Sequence, residues 1–216
     1  MIRAHNTRWA HLLFRPYLHF IMKKSFYSVC LINETPALDE NRPLCLCPNH
    51  ISWWDGFFMY FLNEKIFQRK LFCMMLEQQL LTYSFFSKLG AYSINHFNKK
   101  SLDETTAYTI ELLQNPHNGV IIFPQGSISP QDQKPRVIKK GLVHFTRTTC
   151  AQILPVGLRI EWYNRRKPTL LVRFGRVMNA AECEHSIDSF TQEFNSNLDA
   201  LEASVSREVF VKEFML

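Results

Sequence analysis

Short apolar runs bounded by polar turns alternate along this chain with segments whose apolar residues recur at helical spacing. Phe26 to Ile32 reads as a strand, ETPALDENRP as a polar loop, and Pro43 to Cys47 as a second short strand. A helix is expected from about Asp55 to Leu62 and a buried strand from Leu71 to Leu76. Gln79 to Leu89 predicts a helix stopped by Gly90, and Ala91 to Ile94 is strand-like. Ser101 opens a helix through the capping box Ser101-Leu102-Asp103-Glu104, and Asn115-Pro116 closes it.

Val120 to Phe123 is a short buried strand running into the turn Pro124-Gln125-Gly126, and a polar loop extends from Ser127 to about Arg136. A helix from Val137 to Cys150 comes next, then a strand from Ile153 to Ile160. A basic turn from Asn164 to Pro168 leads into a strand from Thr169 to Phe174, and the last thirty residues pattern as an amphipathic helix. This alternation implies an α/β fold, a single layered domain whose mixed, largely parallel sheet is flanked by helices. In such sheets, sites collect beyond the carboxyl ends of the strands, where the loops after Cys47 and Phe123 both lie.

The start of the chain adds an N-terminal amphipathic helix. Trp9, Leu12, Leu13, Phe14, Tyr17, Leu18, Phe20, Ile21 and Met22 supply apolar bulk, interrupted by His11, Arg15, Pro16, His19, Lys23 and Lys24. Those interruptions exclude a spanning helix, which needs ~20 consecutive apolar residues, and no cleavable signal peptide is visible. Residues 1–24 are therefore read as a segment that lies in a membrane interface or packs on its own domain, and residues 25–216 as the main folded domain. The aromatic stretch from Phe57 to Phe67, with Arg69 and Lys70, is a further candidate for membrane contact. Localisation follows as cytoplasmic and peripheral, on the inner face of the membrane.

With 216 residues, 46% of them hydrophobic, the chain can bury a substantial core, and 18 phenylalanines make it unusually aromatic. Its formal charge of +6 is spread over scattered basic pairs, which suits anionic partners without marking a nucleic-acid site. Six cysteines, at 30, 45, 47, 73, 150 and 183, form neither a disulfide framework nor a zinc-ligand set. All six are read as reduced thiols, and Cys45 and Cys47 as buried neighbours on one strand face.

The chemistry concentrates in Asn49-His50-Ile51-Ser52-Trp53-Trp54-Asp55. An imidazole whose second nitrogen is held by a carboxylate is a general base for a hydroxyl. No serine-elbow or cysteine nucleophile accompanies it, so the base would activate the substrate's own hydroxyl, and the reaction would be direct group transfer. Asp55 and Ser52 are also plausible helix caps, and Gln79, His117 and His144 have no evident partner.

These residues resemble the glycerolipid acyltransferases, which include the lysophosphatidic acid acyltransferases. The first family signature, N-H-x-S-x-x-D, is matched by Asn49, His50, Ser52 and Asp55. A glycine-led second block looks like Gly90 to His96, and a third, F-P-E-G-T-R-S, reads Phe123-Pro124-Gln125-Gly126-Ser127-Ile128-Ser129. A fourth is similar to Ile153-Leu154-Pro155-Val156-Gly157, so order and spacing agree from about residue 25 to 160. The resemblance implies that His50 and Asp55 are catalytic, and that Asn49, Ser52, His96, Pro124, Gln125, Gly126 and Ser127 contact acceptor or donor. The donor would be acyl-coenzyme A or acyl carrier protein as cosubstrate, with no cofactor and no metal.

Three departures bear on the acceptor. Where the family carries arginines that hold a phosphate, this chain has His96 and Ile128, and Gln125 replaces a glutamate. Histidine carries charge only partly at neutral pH and isoleucine never. The expected acceptor is therefore a non-phosphorylated lipid such as a glycolipid or carotenoid glycoside. Lysophosphatidic acid remains open if Lys99, Lys100, Lys134, Arg136 or Lys139 supplies replacement charge. A non-catalytic relative that binds lipid or acyl carrier protein is the reading from another class.

Overall fold

In the computed structural model, which describes residues 1–216 except 181, 183–186 and 208–209, the apolar runs assemble into one sheet. Cys183 lies outside the described residues. The chain opens with helix α1 (Arg8–Ser25), strand β1 (Ser28–Leu31), strand β2 (Leu44–Pro48) and helix α2 (Asp55–Leu62). Strand β3 (Lys70–Leu76), the short helices α3 (Glu77–Thr82) and α4 (Phe85–Lys88), strand β4 (Ala91–Ile94) and helix α5 (Lys99–Leu112) follow. The second half comprises β5 (Asn118–Ile121), α6 (Gly141–Thr146), β6 (Gln152–Glu161), β7 (Thr169–Phe174), β8 (Met178–Asn179), α7 (Ile187–Ser204) and β9 (Lys212–Met215).

Strand order is β4-β3-β5-β2-β6-β7-β1-β9, with β8 paired to β6. The first five run parallel, β7 is antiparallel to β6, β1 is parallel to β7, and β9 closes the edge antiparallel to β1. Strand alternation divides the core in two. Leu44 and Leu46 of β2 point to the face covered by α1 and α2, where they meet Phe14, Leu18, Phe58 and Phe61. Cys45 and Cys47 point to the other face, covered by α5, α6 and α7, among Tyr108, Phe145, Phe190 and Leu198. These two thiols lie 3.8 Å apart, and the described cysteines, at 30, 45, 47, 73 and 150, form no disulfide with one another.

Helix α1 runs unbroken through Pro16 and buries Ala10, Phe14, Leu18 and Met22. Before it, the Ile2 N–H donates to Ser93 Oγ at 2.7 Å and the Ile2 carbonyl accepts from Ser93 N–H at 2.9 Å, which covers the β4 edge of the sheet. Among the described residues, no helix is long and apolar enough to cross a membrane.

Several sequence expectations are corrected. The Ser101 capping box does not form, because α5 starts earlier, at Lys99, and Asn98 caps it by accepting the Ser101 N–H at 3.0 Å. The expected helix from Gln79 to Leu89 is two short helices, and that from Val137 to Cys150 shrinks to α6. The last thirty residues are not one helix, since β9 turns back to pair with β1. Phe57, Phe58, Phe61 and Phe67 are buried in the core and so unavailable to a membrane. Arg69 is likewise committed, donating to the carbonyls of Asp39, Glu40 and Pro116.

Candidate active site

Strands β2 and β5 are parallel neighbours, with Leu46 opposite Ile121. Their carboxyl ends therefore release two loops side by side, one carrying His50 and the other Phe123 to Ser129. Asp55, the first residue of α2, is fully buried, and its carboxylate organises the first loop. Oδ2 accepts from His50 Nδ1 at 2.8 Å, from Ile51 N–H at 2.7 Å and from Ser52 N–H at 2.9 Å. Oδ1 accepts from Ser52 Oγ at 2.8 Å.

Because the carboxylate offers only acceptors, this bond assigns the imidazole proton to Nδ1 and leaves the lone pair on Nε2. The His50 ring stacks on Phe123, with centroids 4.1 Å apart and planes inclined by 24°. Among the described residues Nε2 has no hydrogen-bond partner, and His50 lines a cavity of about 790 Å³. That volume lies within the range of small-molecule sites, and apolar side chains such as Phe57, Met74, Phe86, Leu102 and Phe145 form most of its wall.

The two loops are stitched together at His50. Its N–H donates to Gln125 Oε1 at 2.8 Å, and its carbonyl accepts from Ser129 N–H at 2.9 Å. Asn49 secures the other side, receiving the Leu158 N–H at 2.7 Å and donating to the Leu158 carbonyl at 2.9 Å. Of the residues expected to contact substrate, His96, Pro124, Gly126 and Ser127 line the cavity. Asn49, Ser52 and Gln125 are not in its wall; both side-chain groups of Asn49, the Ser52 hydroxyl and Gln125 Oε1 are engaged in holding the loops.

Gly126 has φ +73°, and a Cβ there would meet Lys139 Cδ and Nζ at 2.9 Å. Its own N–H is committed to the Phe123 carbonyl at 3.0 Å. The next backbone N–H, at Ser127, has no partner among the described residues.

The cavity has a cationic side. Lys139 and Arg147 line it without an ion pair among the described residues, whereas Asp103 is the one carboxylate in the wall. The ammonium of Lys139 lies over Gly126, in the third block, and acts on His96, at the end of the second. Partial burial first, and then the Lys139 charge, lower the His96 pKa below its usual value. Lys134 and Arg136, by contrast, are paired with Asp199 and Glu202 of α7.

Gln79, His144 and Arg147 also line the cavity. No local pattern singles them out in the sequence; the parallel order of β3, β5 and β2 brings them around the two loops. Trp53 is half exposed at the same wall. Among the described residues no cluster of side chains could hold a metal.

The comparison with known proteins fits this geometry. The family model described as Acyltransferase matches residues 29–159, which span both loops and the strands that carry them. The chain belongs to the acyltransferase family. The fold of this acyltransferase is similar to that of the 1-acyl-sn-glycerophosphate (LPA) acyltransferase PlsC from Thermotoga maritima, with a TM-score of 0.58 at 12% identity. That alignment covers 95% of this chain and 81% of the PlsC chain. No match is found among curated protein sequences.

Proposed function

We propose that the enzyme moves a fatty acyl group from an acyl thioester, acyl-coenzyme A or acyl carrier protein, to a hydroxyl of a lipid acceptor. The observation carrying this reading is the His50–Asp55 pair, whose Nε2, unpartnered among the described residues, belongs to the wall of a largely apolar cavity. His50 Nε2 takes the acceptor's O–H proton as the oxygen attacks the thioester carbonyl. The tetrahedral oxyanion is met by the Ser127 N–H, placed by the left-handed turn at Gly126. Collapse expels the thiolate, and the imidazolium returns its proton to sulfur, so that ester and thiol leave. Asp55 holds the ring and stabilises its charged form.

The acceptor we propose carries an anionic headgroup, as lysophosphatidic acid does. Supporting this is Lys139, without an ion pair among the described residues, over the third block and acting on His96, in the part of the site where the family's arginines are missing. A neutral acceptor, a glycolipid or carotenoid glycoside, is the second reading. It is favoured by an uncharged His96 and by the half-exposed Ile128.

The purified enzyme, given a labelled acyl thioester and either lysophosphatidic acid or a neutral glycolipid, distinguishes them. Lysophosphatidic acid should be esterified, and Lys139→Ala should raise its KM at least about tenfold, the scale of one lost charge-assisted contact. Efficient use of the glycolipid alone, indifferent to Lys139→Ala, would overturn the anionic acceptor and leave acyl transfer standing.

A further inference from the structure

We propose, resting on the acyl-transfer reading above, that the groove between α5 and α6 holds the phosphopantetheine arm of the thioester donor, with Arg147 on its phosphate and Asp103 and Thr106 on its amide N–H groups. The cavity crosses the carboxyl edge of the sheet, so its wall draws on both cores. On the α2 side it is bounded by Phe14, Phe57, Phe86 and Leu89. On the other side it runs between α5 and α6, which pack against each other. The first arm suits a fatty tail. The second does not: Asp103, Thr106, His144 and Arg147 line it, and covering a carboxylate and a guanidinium with hydrocarbon is costly.

Asp103 and Thr106 are three residues apart on α5, the spacing that puts two side chains on one helix face. His144 and Arg147 are likewise three apart, at and just past the end of α6. Among the described residues no ion pair joins Asp103 to Arg147, although both line one cavity. The Thr106 hydroxyl donates to the Leu102 carbonyl at 2.9 Å, which leaves its oxygen free to accept. Acceptors on α5 and a guanidinium on α6, with Leu142 and Phe145 in the same wall, match a chain that carries amide N–H and methyl groups before it ends in a phosphate.

Reach separates this cation from Lys139. An acceptor such as lysophosphatidic acid has its phosphate only a few bonds from the attacking hydroxyl. That charge belongs beside the motif loops, where Lys139 lies over Gly126. Phosphopantetheine has more than a dozen bonds between sulfur and phosphorus, about 15 Å when extended at about 1.2 Å per bond. Helix α6 starts beside the third block, where the Lys139 N–H donates to the Pro124 carbonyl, and leads toward Gln152 at the amino end of the sheet. Its rise carries the chain about 9 Å from Gly141 to Arg147. With sulfur at the loops, the donor's phosphate reaches Arg147 and the acceptor's does not.

Two measurements on the purified enzyme test this: separate KM values for donor and acceptor, and calorimetric binding of phosphopantetheine and of pantetheine, which differ by the one phosphate. Arg147→Glu should raise the donor KM at least about tenfold, the scale of one lost charge-assisted contact, with the acceptor KM within about twofold. Arg147→Lys should recover part of the loss. The wild type should bind phosphopantetheine at least about tenfold more tightly than pantetheine, and Arg147→Glu should abolish the difference. Acyl-coenzyme A and acyl carrier protein are assayed separately, and the rise should appear with each thioester that is turned over.

A rise confined to acyl-coenzyme A, with phosphopantetheine binding unaffected, would move Arg147 to the nucleotide's phosphates and overturn the assignment. So would a raised acceptor KM beside an unchanged donor KM, or a wild type that binds both arms equally. Arg147 is exposed, and thermal unfolding verifies that its variants fold. Arm binding requires no turnover. A wild type that binds phosphopantetheine through Arg147 and transfers no acyl group would sink the acyl-transfer reading and keep this site.

Discussion

The backbone N–H of His50 donates to the side-chain Oε1 of Gln125 at 2.8 Å, so the loop after β5 holds the base by its main chain. The contact requires an acceptor at position 125 and no charge. A carboxylate would serve equally, whereas alanine leaves a half-buried N–H unpaired, at a cost of about 1–3 kcal/mol. Gln125→Glu should therefore keep acyl-transfer activity within a few fold, and Gln125→Ala should lose roughly tenfold in kcat through a misplaced His50. Steady-state kinetics of both variants measure it. Equal activity of all three proteins would remove Gln125 from the positioning of His50.

His50→Ala deletes the base itself, and a loss of about two to four orders of magnitude in kcat is expected. Asp55→Asn should act differently from a plain surface change. One oxygen, Oδ2, accepts from His50 Nδ1 and from the Ile51 and Ser52 N–H groups together. An amide therefore either keeps its oxygen there without the carboxylate's charge, or turns its NH2 to the imidazole, favouring the wrong tautomer and losing both backbone bonds. In either orientation activity should fall. Thioester turnover with thermal unfolding on the same samples separates the two effects. Full activity in His50→Ala would remove His50 as the base, whereas thioester turnover absent from the wild type as well would leave only a binding protein.

The local pattern places α2 at Asp55–Leu62, β4 at Ala91–Ile94 and β7 at Thr169–Phe174 as expected, because apolar runs there meet strong breakers such as Gly90 and Pro168. It fails where two polar groups compete. Asn98 outbids Ser101 as the cap of α5, and the Lys139 N–H is taken by the Pro124 carbonyl at 2.9 Å, which delays α6 to Gly141. Strand β9 is invisible locally because its partner β1 lies at the other end of the chain. The same division governs the site. His50 and Asp55 share one loop and are legible from spacing. Lys139 is one of five basic residues near the motifs, singled out only when the fold pairs Lys134 and Arg136 with α7.

Two glycines should respond oppositely to alanine. Gly90 has φ +103°, and a Cβ there would collide with the Leu71 carbonyl and approach Asn6 Nδ2 to 2.9 Å. Gly90→Ala should destabilise by about 3 kcal/mol. Gly56, in α2, has nothing within 4 Å of the added Cβ. Gly56→Ala should stabilise by up to about 1 kcal/mol, as helix propensity predicts. Since Gly56 also lines the cavity, that methyl should shift preference toward shorter acyl thioesters. Thermal unfolding and a chain-length series check both halves, and a destabilised Gly56→Ala would contradict the open space beside it.

Stability should also fall on mild acidification, through His11. Its Nδ1 accepts from Tyr60 Oη at 2.6 Å and its Nε2 donates to Asn6 Oδ1 at 3.0 Å, an arrangement that suits the neutral ring. Burial first, and then the Arg15 guanidinium, lower the pKa from 6.5. Unfolded chains therefore bind this proton more readily than folded ones. The contribution is fully present above 6.5 and is lost as pH falls from there through the lowered folded-state value. His96 shifts in the same direction, so His11→Gln should flatten only part of the slope, and His11→Gln with His96→Gln more of it. Asp199 and Glu182 have lowered carboxyl pKa values, Asp199 first through the Arg136 hydrogen bond and Glu182 first through the Asn179 backbone N–H. They act in a more acidic window. Urea midpoints between about pH 7.5 and pH 5, bracketing the ordinary histidine range, provide the measurement. A wild-type slope unchanged in His11→Gln would assign the pH dependence elsewhere.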